Sequence, residues 1–223
     1  EQRATASSLR KAVLEADWST LFAEGKTICQ MQPAWSAGGD RCNALACFCS
    51  MLGAKRVLEI GAFCGAASLS MAEVLPADGE VVSLDIDPFP FVEVGKEFKE
   101  QSPHFKKVHF MAGEAMESLE KLEVKPFDLV VIDADKANLR KYFDLVWSKP
   151  GLLSDHASIC VDVTPFKGVP PDRYVRFGQA EKWAENAASS GAEEIDAFKA
   201  FVQATSSLVS FEVGGMLVVR RAS

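Results

Sequence analysis

Apolar runs of strand length alternate with helical patterns through the middle of this 223-residue chain. The runs are bounded by turn residues and predict strands near 56–60, 80–85, 107–111, 127–133 and 157–162. Patterns with helical spacing lie near 65–75, 89–101, 114–121, 137–147 and within 171–204. Strands that alternate with helices form βαβ units, so we predict a parallel sheet of the α/β class. Right-handed crossovers then bring the carboxyl ends of these strands to one edge.

The amino-terminal part of the chain has a different pattern. Residues 1–25 carry apolar side chains at helical spacing, including Leu9, Val13 and Trp18, and predict one amphipathic helix. We interpret residues 1–38 as a helical segment that acts as a lid or as packing. A further helix is predicted at about 39–52, directly before the first strand.

The carboxyl-terminal part predicts a hairpin. Two apolar runs at 209–213 and 216–220 flank Gly214-Gly215, a pair that favours a tight antiparallel turn. With these two strands the predicted sheet has seven. Residues 165–192 are rich in Pro, Ala, Ser and Gly, and we expect a mobile insertion there, beside the last strand tips.

Composition and charge favour a single domain over residues 1–223 and exclude several classes of protein. A hydrophobic content of 48% is enough for one sizeable core. The net charge of −7 and the pI near 5.1 argue against a broad basic face for nucleic acid. No apolar run reaches the roughly 18 residues of a membrane span, and no secretory signal is recognisable. Because the chain begins Glu1-Gln2 rather than with Met, an excised domain of a longer polypeptide stays an open alternative.

The six cysteines and three histidines give no sign of a zinc site or a disulfide framework. Cys42, Cys47 and Cys49 lack zinc-ribbon spacing, and no pair of histidines accompanies them. We interpret the cysteines as small buried side chains in a reducing compartment, which predicts a cytoplasmic protein. The histidines are scattered, and we interpret them as structural.

A glycine turn follows the first predicted strand. Gly61 and Gly65 have the spacing G-x-x-x-G, whereas the dinucleotide fingerprint is G-x-G-x-x-G, with a middle glycine that admits a pyrophosphate. Phe63 occupies that middle position here. A bulky side chain there argues against a diphosphate and suits a cofactor without phosphates, such as S-adenosylmethionine.

The next two strand tips carry further candidates for cofactor binding. Asp85 ends the second strand, where a carboxylate can accept hydrogen bonds from both hydroxyls of a ribose. The alternative is that Asp85 caps the next helix together with Asp87. Gly113-Glu114-Ala115 follows the third strand, where these residues would flank an adenine ring. Here the alternative is that Glu114 is an acid favoured by the helix dipole.

The fourth strand ends in a dense group of ionisable residues, Asp133-Ala134-Asp135-Lys136. Asp162 ends the fifth strand in the same way. Two carboxylates on adjacent strand tips are ligands that a hard divalent cation prefers. Lys136 lies one turn further on, and as a neutral amine it would take a proton from a hydroxyl.

Several of these motifs, in this order, resemble one known family, the cation-dependent O-methyltransferases of the caffeoyl-CoA and catechol type. The resemblance runs from about Met31 to Arg221 and is carried by Glu59-Ile60-Gly61, Leu84-Asp85-Ile86-Asp87, Asp133-Ala134-Asp135-Lys136 and the Gly214-Gly215 hairpin. It implies the Rossmann-like class I methyltransferase fold. That fold is a mostly parallel seven-stranded sheet with a carboxyl-terminal antiparallel hairpin and helices on both faces.

The resemblance also implies roles for individual residues. Asp133 and Asp162 would be ligands of Mg²⁺ or Ca²⁺, and Lys136, with Asp133, would be catalytic as the general base. The acceptor would be a small molecule with a catechol, phenol or enediol hydroxyl, and the protein would form a homodimer. The implied S-adenosylmethionine site consists of Met31, Glu59, Gly61, Phe63, Gly65, Ser68, Asp85, Ile86, Gly113, Glu114, Ala115 and Asp133.

The chain departs from the family pattern near the expected metal. Val163 stands where the family has Asn as a third protein ligand, and valine cannot coordinate a cation. Three outcomes stay open: a weakened metal site, metal-free catalysis by Lys136, or loss of activity. The family's Tyr-Ser after the second glycine is Ala66-Ala67 here, with Ser68 following. Candidate walls of the acceptor site, each with packing as the alternative role, are Trp35, Phe166 and Trp183.

Two other functions compete with methyl transfer. A nicotinamide-dependent reductase would share the strand-end acid, but the middle glycine and a Tyr-x-x-x-Lys pair are both missing from the sequence. A non-catalytic domain that binds a nucleoside cofactor within a larger protein would accommodate Val163 and Ala67.

Overall fold

The computed structural model describes residues 2–165 and 191–222. One sheet contains the strands β1 Arg56–Ile60, β2 Glu80–Asp85, β3 Val108–Ala112, β4 Phe127–Ile132, β5 Leu153–Asp162, β6 Leu208–Val213 and β7 Met216–Arg221. The α-helices in the described part of the chain are α1 Gln2–Glu15, α2 Trp18–Ala23, α3 Gly39–Leu52, α4 Ala66–Val74, α5 Pro88–Glu93, α6 Lys96–Gln101, α7 Ala115–Lys121, α8 Leu139–Ser148 and α9 Ala192–Ala204. In these two ranges no helix has both the length and the apolar character needed to cross a membrane.

The strands lie in the order β3-β2-β1-β4-β5-β7-β6. β1 to β5 are parallel, and β7 runs antiparallel to both β5 and β6. This confirms the predicted seven-stranded, mostly parallel sheet with a terminal hairpin. The chain leaves β1 towards β2 and β3 on one side and returns to β4 and β5 on the other. A crevice forms at the carboxyl ends of β1 and β4, where neighbouring connections diverge in opposite directions.

The central strands are buried on both faces, which explains their continuous apolar runs. In β1 the side chains of Leu58 and Ile60 pack on the face covered by α7, α8 and α9. Val57 points to the opposite face, which is covered by α3 and α4. Glu59 shares that second face and is a buried carboxyl group in an otherwise apolar strand.

The predicted strands and most predicted helices are confirmed within a residue or two at each end. Among the strands, β5 differs most from its predicted bounds. It begins at Leu153, which pairs with Phe127 at the start of β4. A register irregularity separates that pair from the regular ladder between Leu129 and Ser158. The sequence pattern identified only the apolar second half of β5. The predicted insertion at 165–192 lies almost wholly outside the described residues.

Two helices were predicted as continuous and are each divided. The prediction of one helix over residues 1–25 is wrong because Asp17 caps a new helix, α2, and accepts the Thr20 N–H at 3.0 Å. α1 precedes this break and packs against α4 and α6, with Leu9 and Val13 fully buried. The prediction of one helix near 89–101 is also wrong, since Gly95 adopts φ +67° between α5 and α6.

Gly61, directly after β1, allows the carboxyl ends of β1 and β4 to lie in contact. Its φ is +93°, and a Cβ atom at this position would overlap the backbone carbonyl of Asp133. The Asp133 N–H donates to the Ile60 carbonyl at 2.8 Å, which ties the two tips together. Only glycine combines this backbone conformation with so close an approach.

We expect Gly61→Ala to destabilise the protein much more than Gly214→Ala. Both glycines have positive φ, but a Cβ at Gly214 meets nothing within 4 Å. The left-handed backbone alone costs about 1–2 kcal/mol, and overpacking against the Asp133 carbonyl adds roughly 1–3 kcal/mol at position 61 only. Urea unfolding of both variants measures this difference. Equal losses of unfolding free energy would refute the importance of the close approach.

Candidate active site

A cavity of about 670 Å³ opens at the carboxyl ends of the parallel strands. It runs from the glycine turn after β1 to the acidic tips of β4 and β5. Most residues predicted for the site line it: Met31, Glu59, Gly61, Phe63, Asp85, Ile86, Glu114, Ala115, Asp133 and Asp162. The structure therefore brings together residues from the amino-terminal segment and from the tips of five strands.

The remaining predicted residues are not among those that line the cavity. Gly65, with φ +80°, precedes α4 and packs against Phe91. Ser68 is buried and donates its hydroxyl proton to Glu59, so its side chain is directed to that carboxyl group. Gly113 donates its N–H to the Asp85 carbonyl at 2.9 Å. Lys136 is only 3% exposed and lies behind the carboxylates of the β4 and β5 tips.

Asp85 organises the glycine turn. Its Oδ2 accepts the Phe63 N–H at 2.7 Å, and its Oδ1 accepts the Asp87 N–H at 3.1 Å. Phe63 has φ +48° and is the non-glycine residue with positive φ in the described chain. The Asp85 carboxylate thus holds a backbone conformation that aromatic residues rarely adopt. Burial raises the pKa of Asp85, and these N–H groups partly offset that effect.

The alternative role for Asp85, capping the next helix, belongs to Asp87 alone. Asp87 Oδ1 accepts the Phe89 N–H at 3.0 Å at the start of α5. Its Oδ2 accepts the Ile28 N–H at 2.7 Å and so fixes the amino-terminal segment beside the cavity. Asp85 is left facing the cavity, where its carboxylate can accept further hydrogen bonds.

Glu59 forms the floor of the cavity at the centre of the sheet. Its Oε2 accepts hydrogen bonds from the hydroxyls of Ser68 and Ser83, the latter at 2.6 Å. Burial raises the pKa of Glu59 to about 7, the carboxylates of Asp133 and Asp85 add to this, and the two serines oppose it. A buried acid that titrates near neutrality is well placed to pair with a cationic group.

Aromatic side chains cover the turn from the amino-terminal side. Phe63 stacks on Trp18 of α2 with ring centroids 5.1 Å apart, and it meets Trp35 edge-on at 6.3 Å. Met31 and Trp35 also line the cavity. Of the predicted acceptor walls, Trp35 is therefore at the site, whereas Phe166 and Trp183 lie outside the described residues.

Glu114 lies at the N-cap position of α7 and lines the cavity. Its side chain makes no capping hydrogen bond to the helix. The dipole of α7 favours an acid at this position, so both interpretations made from the sequence are compatible with its place.

The ionisable side chains that line the cavity are mostly acidic. Seven carboxylic acids but one cationic side chain, that of Arg41, occur among the described lining residues. Low-dielectric walls of one sign concentrate ions of the opposite sign. The cavity therefore favours a ligand that carries positive charge.

The tips of β4 and β5 form a cluster of four charged side chains. Asp133 and Asp162 are the acids, and Arg41 and Lys136 are the bases. Arg41 Nη1 lies 3.1 Å from Asp133 Oδ2 and 2.6 Å from Asp162 Oδ1. Lys136 Nζ lies 2.6 Å from Asp162 Oδ2 and 3.8 Å from Asp133 Oδ1. We call these four residues the charge cluster.

The two acids of the charge cluster have opposite pKa shifts. Burial tends to raise the pKa of Asp162, but the neighbouring Lys136 and Arg41 outweigh it and lower the value. Burial raises the pKa of Asp133, and the nearby Asp162 carboxylate adds to the effect. Asp133 is also the more exposed of the two, with 29% of its side chain accessible. Both acids line the cavity, and Asp133 is the one that is more open to it.

Arg41 is the main residue that sequence reasoning missed. It lies in the first turn of α3, and its Nη2 also donates to the Thr164 hydroxyl at 2.9 Å. A signal was present, because a basic side chain in the first turn of a helix opposes the helix dipole and needs a partner elsewhere. Tyr142 was missed too. Its hydroxyl donates to Asp135 at 2.5 Å, at the end of the cavity that follows β4.

The residues at the β4 and β5 tips do not fit a divalent cation. Val163, at the position of the expected third ligand, is an apolar side chain in the core cluster. Both carboxylates are already paired with Arg41 and Lys136. Within the described ranges there is no group of three or more His, Cys, Asp or Glu side chains that could hold a metal ion. Mg²⁺ and Ca²⁺ need six or more oxygen ligands, of which proteins supply several as carboxylates.

Comparison with known proteins places these features in a family. A family model described as O-methyltransferase matches residues 19–168, about two thirds of the chain. Tricin synthase 1 of Oryza sativa subsp. japonica is 33% identical over 147 residues, or 61% of this chain and 57% of that protein. A catechol O-methyltransferase of Niastella koreensis is 31% identical over 126 residues, or 54% of this chain and 57% of that protein. The chain thus spans little more than half the length of these curated relatives.

A solved structure has the same fold over nearly the whole chain. The O-methyltransferase TomG of Streptomyces achromogenes, in complex with SAM, matches with a TM-score of 0.70 at 21% identity, covering 98% of this chain and 90% of that one. This confirms the class I methyltransferase fold. The family model and the catechol-type relative confirm the family resemblance seen in the sequence. The chain belongs to the O-methyltransferase family.

Proposed function

We propose that this protein is an S-adenosylmethionine-dependent O-methyltransferase that methylates a hydroxyl group of a small molecule, of the catechol, phenol or enediol type. One observation carries the proposal. A single acidic cavity joins the carboxylate of Asp85, at the glycine turn, to the charge cluster at the neighbouring strand tip. The names of the relatives and the SAM in the TomG structure support the cofactor and the type of reaction.

The glycine-turn end suits the cofactor for electrostatic reasons. S-Adenosylmethionine carries a sulfonium and an ammonium group, and the acids that line the cavity favour both. In the proposal Asp85 accepts hydrogen bonds from the ribose hydroxyls, and Glu59 stabilises the ammonium group. Ile86, Glu114 and Ala115 flank the adenine. The ring of Phe63 fills the space that a pyrophosphate would need.

The charge-cluster end suits the acceptor. In the proposed reaction the acceptor oxygen attacks the methyl carbon while the bond between that carbon and sulfur breaks. The electron pair stays on sulfur, so the sulfonium becomes a neutral thioether. Holding both reactants in line in a closed cavity accounts for much of the acceleration.

The acceptor's proton goes to Lys136 in this proposal. Its Nζ lies 3.8 Å from Asp133 Oδ1, and the Asp133 side chain is in turn accessible from the cavity. The proton path from the cavity to Lys136 therefore runs beside the Asp133 carboxylate.

The single domain, the cytoplasmic location and the homodimer stay predictions from the sequence. They bear on which acceptors the protein meets rather than on the chemistry of the cavity. The two competing functions, a nicotinamide-dependent reductase and a non-catalytic cofactor-binding domain, are separated from the proposal by the measurements below.

Asp85→Asn should weaken the binding of S-adenosylhomocysteine by roughly 10- to 100-fold, because charge-assisted hydrogen bonds contribute about 1.5–3 kcal/mol. Isothermal titration calorimetry with this stable product measures the effect without any acceptor. Asp78→Asn is the matched control, since Asp78 is an exposed acid paired with Lys55. If both variants bind like the original protein, Asp85 is not part of the cofactor site.

Lys136→Met should lower the rate of methyl transfer by about 10²–10⁴-fold, the usual contribution of a positioned base. The affinity for S-adenosylhomocysteine should stay nearly unchanged, and retained binding also shows that the variant is folded. Lys141→Met, a loss of the same charge on the exposed side of α8, is the control. Methylated products of a panel of catechols, phenols and enols are quantified by mass spectrometry. A variant with weakened binding and normal turnover would exclude Lys136 as the base.

Glu59→Gln should change how stability depends on pH. Folding raises the pKa of Glu59 from 4.5 to about 7, so the folded protein keeps this proton in an interval where the unfolded chain releases it. The stability that Glu59 contributes is present below pH 4.5 and is lost as the pH rises through 7.

Relative to the original protein, E59Q should therefore gain about 3 kcal/mol of unfolding free energy between pH 4.5 and 8. Urea titrations at several pH values measure this, with the exposed Glu123→Gln as control. Parallel pH profiles for E59Q and the original protein would show that folding does not raise the pKa of Glu59.

A further inference from the structure

We propose that the guanidinium of Arg41 occupies the cation position at the acceptor end, so that this protein uses a residue of its own chain there instead of a divalent metal. The inference rests on the proposed function, because it concerns the site where the acceptor hydroxyl would bind. It follows from how the two carboxylates are paired, from the sum of their charges and from the residue at position 163.

Every carboxylate oxygen of the charge cluster already faces a fixed cation. Asp162 directs Oδ1 to Arg41 and Oδ2 to Lys136, both at 2.6 Å. Asp133 directs Oδ2 to Arg41 at 3.1 Å and Oδ1 to Lys136 at 3.8 Å. Arg41 thus bridges the two acids at the point where a shared metal ion would bridge them. A metal would have to displace the guanidinium to reach either acid from the cavity side.

With Lys136 in its protonated form, before it serves as the proposed base, the formal charges of the charge cluster add up to zero. Two acids without fixed cations would present two negative charges to a divalent ion, and strong metal sites depend on such a charge. Here the attraction is already satisfied by Arg41 and Lys136. An incoming ion would have to displace these cations before it could gain the same attraction.

The residue at position 163 supplies no ligand for a metal ion. Val163 is buried, and its side chain packs in the same core cluster as Val161 and Leu217. Its backbone N–H donates to the Gly215 carbonyl at 2.9 Å, which fixes the residue beside the hairpin turn. A side chain without oxygen is held where the family resemblance places a ligand. Val163 and Arg41 are therefore consistent with each other: Val163 cannot coordinate a metal ion, and Arg41 is a cation that both acids already hold.

Arg41 is also held in place well enough to act as a site cation. Nη1 is fixed by the two acids, and Nη2 by the Thr164 hydroxyl at 2.9 Å. The side chain lines the cavity and is 19% exposed. Burial tends to lower the pKa of Arg41, but the two carboxylates outweigh it and raise the value, so the group stays charged. A planar guanidinium fixed on one edge offers its remaining N–H groups to an acceptor oxygen.

The test measures metal binding directly, with Mn²⁺ as the probe and electron paramagnetic resonance as the readout of free ion. The original protein should show no saturable binding up to about 1 mM, the range of the weakest specific protein sites. The double variant Arg41→Met with Val163→Asn restores a third oxygen ligand and removes the competing cation. Its dissociation constant should be at least about tenfold lower, equivalent to 1.4 kcal/mol or more.

Matched variants separate the effect of the Arg41 charge from the effect of the missing ligand at position 163. Val163→Asn alone should gain little affinity for Mn²⁺, because Arg41 still pairs with both acids. Val163→Asn with Arg220→Met loses the same charge from an exposed site on β7 and should behave like the single variant. Circular dichroism and S-adenosylhomocysteine titration show whether each variant is folded.

Saturable micromolar binding of Mn²⁺ by the original protein would overturn the inference, and this result needs no variant. A folded double variant that still fails to bind Mn²⁺ would overturn it as well, since Arg41 would not be what excludes the metal. Failure of the proposed function has a different signature. In that case the original protein does not bind S-adenosylhomocysteine, whatever the Mn²⁺ result.

Discussion

The cavity depends on the close contact between the tips of β1 and β4. Gly61 has no side chain, so the backbone of Asp133 lies against it, and the Asp133 N–H donates to the Ile60 carbonyl. This contact sets the distance between the glycine turn and the acids that follow β4. If a side chain separated the two tips, the cofactor end and the acceptor end would no longer share one cavity.

Charge organises what the backbone contact brings together. Among the described lining residues the one cation, Arg41, is paired with Asp133 and Asp162 rather than with Asp85 or Glu59, so a ligand is left to pair with the two acids at the glycine turn. At the β4 and β5 tips the acids are paired within the protein by Arg41 and Lys136. Acidic residues thus have different roles at the two ends of the cavity. In the proposed function one end attracts a cationic cofactor, and the other orients the hydroxyl of the acceptor.

Local signals in the sequence were sufficient for the sheet and for the residues at the strand tips. Apolar runs, glycines and terminal acids predicted the order of elements, the hairpin, and the cavity positions of Asp85, Asp133 and Asp162. The helix breaks at Asp17 and Gly95 were missed because apolar periodicity continues across them. Arg41 could not be assigned, since its partners are 92 and 121 residues away in the chain and only the fold brings them together. Long-range charge pairing leaves no periodic trace in a single sequence.

The turn at Phe63 links the amino-terminal helices to the cofactor end through thermodynamic reciprocity. Its backbone conformation is held by Asp85 on one side, and its ring is held by Trp18 of α2 on the other. A ligand that fixes this turn must stabilise the docking of α2 by the same free energy with which docking favours the ligand. In the proposed function α2 is therefore an energetic part of the cofactor site. Any molecule that pulls α2 away from the turn would act as a negative effector of cofactor binding.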